Sequence, residues 1–418
     1  MRLISLARAD DGSELGRDVL IGRPDGVPLL RAGVTLTPRY RELLLRAGIS
    51  AIYVEDEVSD GIAVEPIIDD ATRAVATRAV SGAFTTARDA LSRGRRLAPE
   101  AVQELQDVVQ RILEQIESSG GAALALADLS SADGYTFQHS IDVTALGLLI
   151  GFRYFSDHGW TDFRGECRFD ELEDRLSILG LGLLLHDIGK LAIPLGILNK
   201  PGKLTPEEWE IMKTHPRAGV DILDGSRWSP LVKAVVLRHH ERWNGSGYPD
   251  GKAGNEIHQM ARIAAVADVY DAITSERLYA PARPAHVGVR AIIEGKGSLF
   301  EPEVVDAFCR VVAPFPAGTE VELVDGRAGI VASVPDEALD RPVVRLLGPD
   351  GIPQDEVSLL HDQSLAIKDW EHQPNTGPAS SGAYIAPGTP PVSVNGTSVN
   401  GTPVGGAAVN GTAATTRV

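Results

Sequence analysis

Of the ten histidines in this 418-residue chain, five fall beside carboxylates or one another on segments with apolar neighbours. His186 and Asp187 close the run Leu183-Leu184-Leu185, and Lys190 follows directly after Gly189. His215 precedes Pro216, where helical geometry is disfavoured and a helix boundary is expected. His239 and His240 are adjacent. His139, in Tyr135-Thr136-Phe137-Gln138-His139-Ser140, stands ahead of an apolar helix, and Asp268 interrupts the apolar run Ala264–Val269. Neutral imidazoles with carboxylates suit Fe, Mn, Co, Ni or Zn better than Ca or Mg, which prefer oxygen alone. An aspartate next to a histidine can bridge two ions. Two ions about 3.5–4 Å apart stabilise the attacking and leaving oxygens of an in-line displacement at phosphorus. Lys190 can offset phosphate charge. Gly245, Gly247 and Pro249 turn the next loop sharply and present the ring and hydroxyl of Tyr248 at the pocket edge.

Taken singly, each of these has a plainer reading. A lone His-Asp pair is common by chance, His139 and His215 could be core or capping histidines, and Asp268 could cap a helix. An aspartate in so apolar a run still needs a partner. The combination points to a metal centre. His158, His258, His286, His361 and His372 have no such context and read as solvated or structural, and Cys167 and Cys309 as inert thiols.

Around this constellation the chain predicts a multidomain, mainly α protein. Residues 1–65 read as a small α+β domain, regulatory, dimer-forming or a structural cap. It has short strands at Val19–Ile21, Gly26–Leu30 and Ile52–Val54, and a helix capped by Thr37-Pro38. Residues 66–314 read as one helical domain, of which 66–130 are linking helices. The stripe Val102, Leu105, Val108, Val109, Ile112, Leu113, Ile116 marks one buried face. Phe152–Leu176 reads as a turn and helix start between core helices. Residues 315–371 alternate with period two between Asp-Gly and Gly-Pro turns, which predicts a small antiparallel β-barrel of about five strands. Residues 372–418 are Gly, Pro, Ser, Thr, Asn and Val, too polar to offset chain entropy, and are read as a disordered tail.

Composition narrows the partners. A formal net charge of −17 argues against bulk nucleic acid or an anionic membrane surface. A small anionic substrate still fits a locally positive pocket. No signal peptide or membrane span is read, and two cysteines are too few for a disulfide scaffold. The expectation is a cytoplasmic protein.

Six motifs occur in order: Tyr-Thr-x-x-His-Ser at 135–140, His-Asp-Ile-Gly-Lys at 186–190, Asn-Lys-Pro-Gly-Lys-Leu-Thr at 199–205, Lys-Thr-His-Pro at 213–216, His-His-Glu through Gly-Tyr-Pro at 239–249, and Ala-Asp-Val-Tyr-Asp-Ala at 267–272. With them the chain resembles the HD-GYP subfamily of HD-domain metal phosphohydrolases. The resemblance implies an all-helical catalytic domain with a His/Asp-bound metal centre, usually Fe or Mn, that hydrolyses cyclic di-GMP to a linear dinucleotide (pGpG) or GMP. It implies one metal on His139, His186, Asp187 and Asp268. A second would be shared through Asp187 and held by His215, His239 and His240. A bridging hydroxide would attack phosphorus, with Lys190 stabilising the charge that develops.

Three positions depart from the family. Tyr135 stands where members with a third metal have Glu, so two divalent ions are expected. Asn244 replaces an Asp and is expected to remove a charge beside the site. Arg277 stands at a substrate-phosphate position, but Ala280, three residues on, is not basic. Two rival functions stay open: the same chemistry on another nucleotide, for which Ala280 is the feature, and a catalytically weak cyclic di-GMP receptor, for which Asn244 is.

Overall fold

The computed structural model describes residues 1–19, 28–47, 49, 51–64, 66–92, 99–118, 135–162, 164–224, 228–275 and 282–370. The first unit is a sheet of β1 (Arg2–Ser5), β2 (Glu14–Leu15) and, after helix α1 (Pro38–Arg46), β3 (Ala51–Glu55), ordered β1-β3-β2 and antiparallel throughout. Thr37 Oγ1 accepts from the Tyr40 amide and Pro38 takes the first turn, so α1 begins where its capping residues dictate. β1 falls on a stretch the sequence reading does not assign as a strand. Of the two strands expected at 19–30, Val19 and Leu30 form a single bridge, and residues 20–27 lie outside the described residues.

Helices then take over: α2 (Asp70–Ser92), α3 (Pro99–Ser118), α4 (Tyr135–His158), a short hairpin of β4 (Trp160–Thr161) and β5 (Cys167–Arg168), and α5 (Leu172–Leu185). A 3-10 turn at Ile188–Ala192 leads to α6 (Leu195–Leu198), α7 (Pro206–Met212), α8 (His215–Leu223) and α9 (Pro230–Arg238). Then come α10 (Gln259–Thr274), α11 (Ala285–Glu294) and α12 (Pro302–Cys309). Segment 152–176 is therefore the end of α4, a hairpin and the start of α5.

α4, α5 and α10 form the centre. Leu146, Leu148, Leu149 and Ile150 of α4, Leu179 and Leu183–Leu185 of α5, and Ile263–Ala267 of α10 are all buried. A helix apolar on every side belongs in the middle of a bundle. α3 buries Leu105, Val108, Val109, Ile112, Leu113 and Ile116 against this centre. α2 is fixed by an ion pair rather than by apolar contact alone: Arg73 Nη1 lies 2.6 Å from Asp142 Oδ1, both buried, and Gln138 Nε2 donates to both Asp142 oxygens at 3.1 Å. Among the described residues no helix is long and apolar enough to cross a membrane.

The last unit is a four-stranded antiparallel sheet, β6 (Glu320–Glu322), β7 (Ala328–Ser333), β8 (Val343–Leu347) and β9 (Pro353–Ser358), in sequential order. The described residues thus hold four strands rather than about five, and β6 and β9 are not paired with each other; Leu323 instead bridges to Ile367. The sheet packs on the N-terminal unit. Tyr53, Ile62 and Val64 share a buried cluster with Ile330, the Leu3 amide donates to Gly318 O at 3.2 Å, and Arg345 Nη1 donates to Asp60 O at 2.6 Å. His286 of α11 stacks on Phe315 at 5.1 Å, where the helical unit meets the last. The segment read as a disordered tail, 372–418, lies outside the described residues.

Candidate metal centre

Each donor side chain except Asp268 sits at the end or near the start of a helix, where chain geometry can turn it inward. His139 lies in the second turn of α4, not ahead of the helix. His186 caps the C-terminus of α5, and Asp187 opens the 3-10 turn that carries Lys190. His215 is the first residue of α8, His239 and His240 follow the end of α9, and Asp268 projects from the middle of α10. Gly189 is required for this convergence. A Cβ there would stand 1.8 Å from the His215 carbonyl oxygen, so only glycine lets the Lys190 turn lie against the start of α8.

Three of the imidazoles are oriented by backbone carbonyls. His186 Nδ1 donates to Leu183 O at 2.7 Å, His215 Nδ1 to Met212 O at 2.9 Å, and His239 Nδ1 to Val236 O at 2.9 Å. With the proton on Nδ1, each neutral ring turns an Nε2 lone pair inward. His139 is held by a carboxylate instead, Nδ1 lying 2.6 Å from Asp271 Oδ2, and Asp271 in turn accepts from Ser275 Oγ at 2.8 Å. The inward nitrogens crowd together: His139 and His186 Nε2 are 3.2 Å apart, His215 and His239 Nε2 3.3 Å.

Asp187 lies between the two pairs. Its Oδ2 is 3.6 Å from His139 Nε2 and 3.5 Å from His186 Nε2, while its Oδ1 is 3.4 Å from His215 Nε2 and 4.0 Å from His239 Nε2. Lys190 Nζ lies on Oδ2 at 2.5 Å. Oδ1 is buried and receives no hydrogen bond. Asp268 joins the cluster from the other side, Oδ1 3.3 Å from His139 Nε2 and Oδ2 3.5 Å from His240 Nδ1.

Burial opposes charge on every one of these rings. For His215 it prevails, lowering the group to about 4 against the pull of Asp187, and His239 and His240 also fall well below the ordinary range. His139 differs: burial lowers it, but the Asp271 and Asp268 carboxylates outweigh burial and raise it to about 9. Burial would raise Asp187, yet Lys190 and the surrounding imidazoles hold it well below the usual carboxylate range; His139 and His240 do the same for Asp268. Neutral rings at His186, His215, His239 and His240, with ionised carboxylates among them, leave a concentration of unprotonated donor atoms around His139. Two groups, His139-His186-Asp187 and Asp187-His215-His239-His240, each bring ligand atoms within 4.8 Å of one another. A divalent transition ion fits that donor chemistry and answers the bare Asp187 Oδ1.

The cluster opens on one side. His139, His186, His215 and His239 side chains are at most 1% exposed, whereas His240 is 17% and Lys190 24% exposed. At this opening the Tyr248 ring lies 4.7 Å from that of His240 and meets Trp209 edge-on at 5.9 Å. Buried Glu241 secures the loop, accepting from the Asp250 amide at 2.8 Å and the Lys252 amide at 3.0 Å. Gly247 lies so close to the backbone of residues 240–242 that a Cβ would come within 2.5 Å of three of its atoms.

The structure thus brings together His139, His186, Asp187, Lys190, His215, His239, His240, Tyr248 and Asp268. Arg277 and Ala280 lie outside the described residues, as does the side chain of Tyr135. Asn244 lies on the loop that follows His239-His240-Glu241. Its side chain is exposed and accepts from Ser246 N at 3.0 Å and Ser246 Oγ at 2.6 Å, so it shapes its own turn, bonds an Asp could accept equally. Sequence reasoning missed Asp271 as a support. The signal was present, since Asp271 follows Asp268 at the i+3 spacing that shares a helix face.

Residues 171–304 match the HD domain family. Over 242 residues the chain is 40% identical to the cyclic di-GMP phosphodiesterase PA4108 of Pseudomonas aeruginosa, covering 57% of this chain and 54% of that protein. It is 49% identical over 175 residues to a cyclic di-GMP phosphodiesterase of Thermotoga maritima, covering 40% and 47% respectively. A 3'3'-cGAMP-specific phosphodiesterase 2 of Vibrio cholerae is 44% identical over 124 residues, 29% of this chain and 24% of that one. The chain therefore spans about half or less of the length of these curated relatives. His139 stands outside the matched span and completes a site built otherwise within it. By its sequence match and its His-Asp cluster, this chain carries an HD domain across residues 171–304.

Proposed function

We propose that the chain is a phosphodiesterase that hydrolyses cyclic di-GMP to linear pGpG or GMP with two divalent transition ions, Fe or Mn. The observation that carries the proposal is Asp187, whose two oxygens face two different histidine pairs. In this reading His139, His186, Asp187 and Asp268 hold one ion, and Asp187, His215, His239 and His240 the other. Two such ions supply an activated water nucleophile and draw charge from the phosphate oxygens.

The chain's own residues do the rest. Leu183, Met212 and Val236 carbonyls keep three imidazoles in the tautomer that presents Nε2 inward. Asp271 does so for His139, and such supports are worth 10–100-fold in metal affinity. Lys190, partly exposed beside Asp187, is placed to meet an arriving phosphate, and Tyr248 gives a ring for a base or ribose to pack against at the opening. Arg277 is assigned to substrate phosphate on the family pattern alone. The free thiols Cys167 and Cys309 accord with a cytoplasmic setting.

The substrate is drawn from the relatives: two of those compared are named for cyclic di-GMP and one for 3'3'-cGAMP. That last likeness supports 3'3'-cGAMP as the second reading. Protein loaded anaerobically with Fe or Mn, assayed against cyclic di-GMP and 3'3'-cGAMP, tests the proposal. Turnover of cyclic di-GMP with the higher kcat/KM is expected; tight binding of either nucleotide without turnover would overturn it.

A further inference from the structure

Arg242 stands two residues after the metal-site pair His239-His240. It is 9% exposed. Its guanidinium has five N–H donors, and among the described residues its one direct hydrogen bond runs from Nη1 to the neighbouring Glu241 carbonyl at 3.4 Å. No carboxylate of the described residues reaches ion-pair distance of it. The other deeply placed arginines contrast with this. Arg73 is paired with Asp142 at 2.6 Å and Arg262 with Glu301 at 2.5 Å. A buried charge is ordinarily paired because its desolvation cost is otherwise uncompensated.

The segment that carries it is also held in place. The Trp243 amide donates to Leu299 O at 3.0 Å and the Asn244 amide to Ser298 O at 2.9 Å. The guanidinium carbon lies 5.8 Å from the centre of the Phe300 ring, and the Gly247 backbone closes over the amide of Arg242. Arg242 stands two residues after His240, whose carbonyl accepts from the Tyr248 amide at 3.2 Å and whose ring lies 4.7 Å from the Tyr248 ring and 3.5 Å from Asp268 Oδ2, the groups around the open side of the donor cluster. A fixed cation with unused donors, near the opening of a cluster of metal-ligand type, suits an anion brought in by the substrate. The guanidinium fork matches two phosphate oxygens.

We propose that Arg242 is a substrate-binding residue that takes a phosphodiester group of the substrate from the His240–Asp268–Tyr248 side of the cluster. The inference rests on the phosphodiesterase reading but not on which nucleotide is cleaved. Its test is therefore run on bis(p-nitrophenyl) phosphate as well as cyclic di-GMP, with inorganic phosphate as competing ligand. Full-length metal-loaded wild type, Arg242→Lys and Arg242→Gln are compared for metal content, kcat, KM and inhibition by phosphate.

The expected result for Arg242→Gln is unchanged metal content, a KM raised about tenfold or more on both substrates, and phosphate inhibition weakened in parallel, with kcat changed far less. Arg242→Lys, which keeps the charge without the fork, should recover part of the loss. Loss of metal from Arg242→Gln would overturn the proposal and assign Arg242 to balancing Asp268. Unchanged KM and phosphate inhibition would overturn it too. If wild type cleaves neither compound, the phosphodiesterase reading fails; phosphate affinity by calorimetry then decides Arg242, equal affinity in wild type and Arg242→Gln being the contrary result.

Discussion

His139 Nε2 and His186 Nε2 face each other at 3.2 Å, while Nδ1 of the first is bound to Asp271 and Nδ1 of the second to the Leu183 carbonyl. Two ring nitrogens so placed gain nothing from each other when both rings are neutral. One relieves the contact by taking a proton, or both relieve it by sharing a cation. The raised His139, at about 9, is the first solution. The metal centre is the second.

Asp271 is the residue that decides how His139 presents itself, since it holds Nδ1 at 2.6 Å and stands behind the ring. Asp271→Asn should weaken metal binding about 10–100-fold, the usual cost of losing such a support, while leaving helix content unchanged. Titration of the stripped protein with Mn and Co measures it. Affinity equal to wild type would remove Asp271 from the site.

His258 gives a pH prediction away from the donors. Its Nδ1 accepts from the Met260 amide at 3.3 Å as the N-cap of α10, and burial, with Arg262 and Arg175 nearby, lowers the ring to about 4. Between about 6.5 and 4 the unfolded chain therefore binds a proton that the native chain refuses, so stability falls as pH drops through this window. His258→Asn keeps a capping acceptor that does not titrate. From pH 7 to pH 5 the wild type should lose roughly 1 to 2 kcal/mol more than this variant in urea unfolding. Parallel pH dependence of the two proteins would contradict the assignment.

The donor set was legible in the sequence because metal ligands are rare residue types on apolar background: His186-Asp187, His239-His240 and Asp268 announce themselves. The α3 stripe and the alternation in β6 to β8 were legible for the same reason, as period reports burial. The β4–β5 hairpin was not, because two-residue strands carry no period and Trp160 or Cys167 alone signals nothing. Nor was the direction of Asn244, which depends on a turn bond to Ser246, or the isolation of Arg242, which depends on which carboxylates the fold brings near. Side-chain type is written in the chain; side-chain partnership is a product of packing.

The Arg73–Asp142 pair supplies a prediction about how α2 is kept on the site-bearing helix. Asp142→Ala leaves a buried guanidinium facing no carboxylate at that position and should cost about 3–5 kcal/mol. The double change Arg73→Met with Asp142→Leu should recover most of that loss, because replacing both charges by apolar groups is often neutral. Denaturant unfolding of the three proteins measures it, and a double variant no more stable than Asp142→Ala would contradict the account.

The most direct test is the metal content of Asp187→Ala set against wild type, by elemental analysis of anaerobically purified protein. Because both oxygens of Asp187 face donor pairs, about two ions per chain are expected in wild type, with loss of both, together with activity, in the variant. Retention of metal near the wild-type level in Asp187→Ala would contradict it.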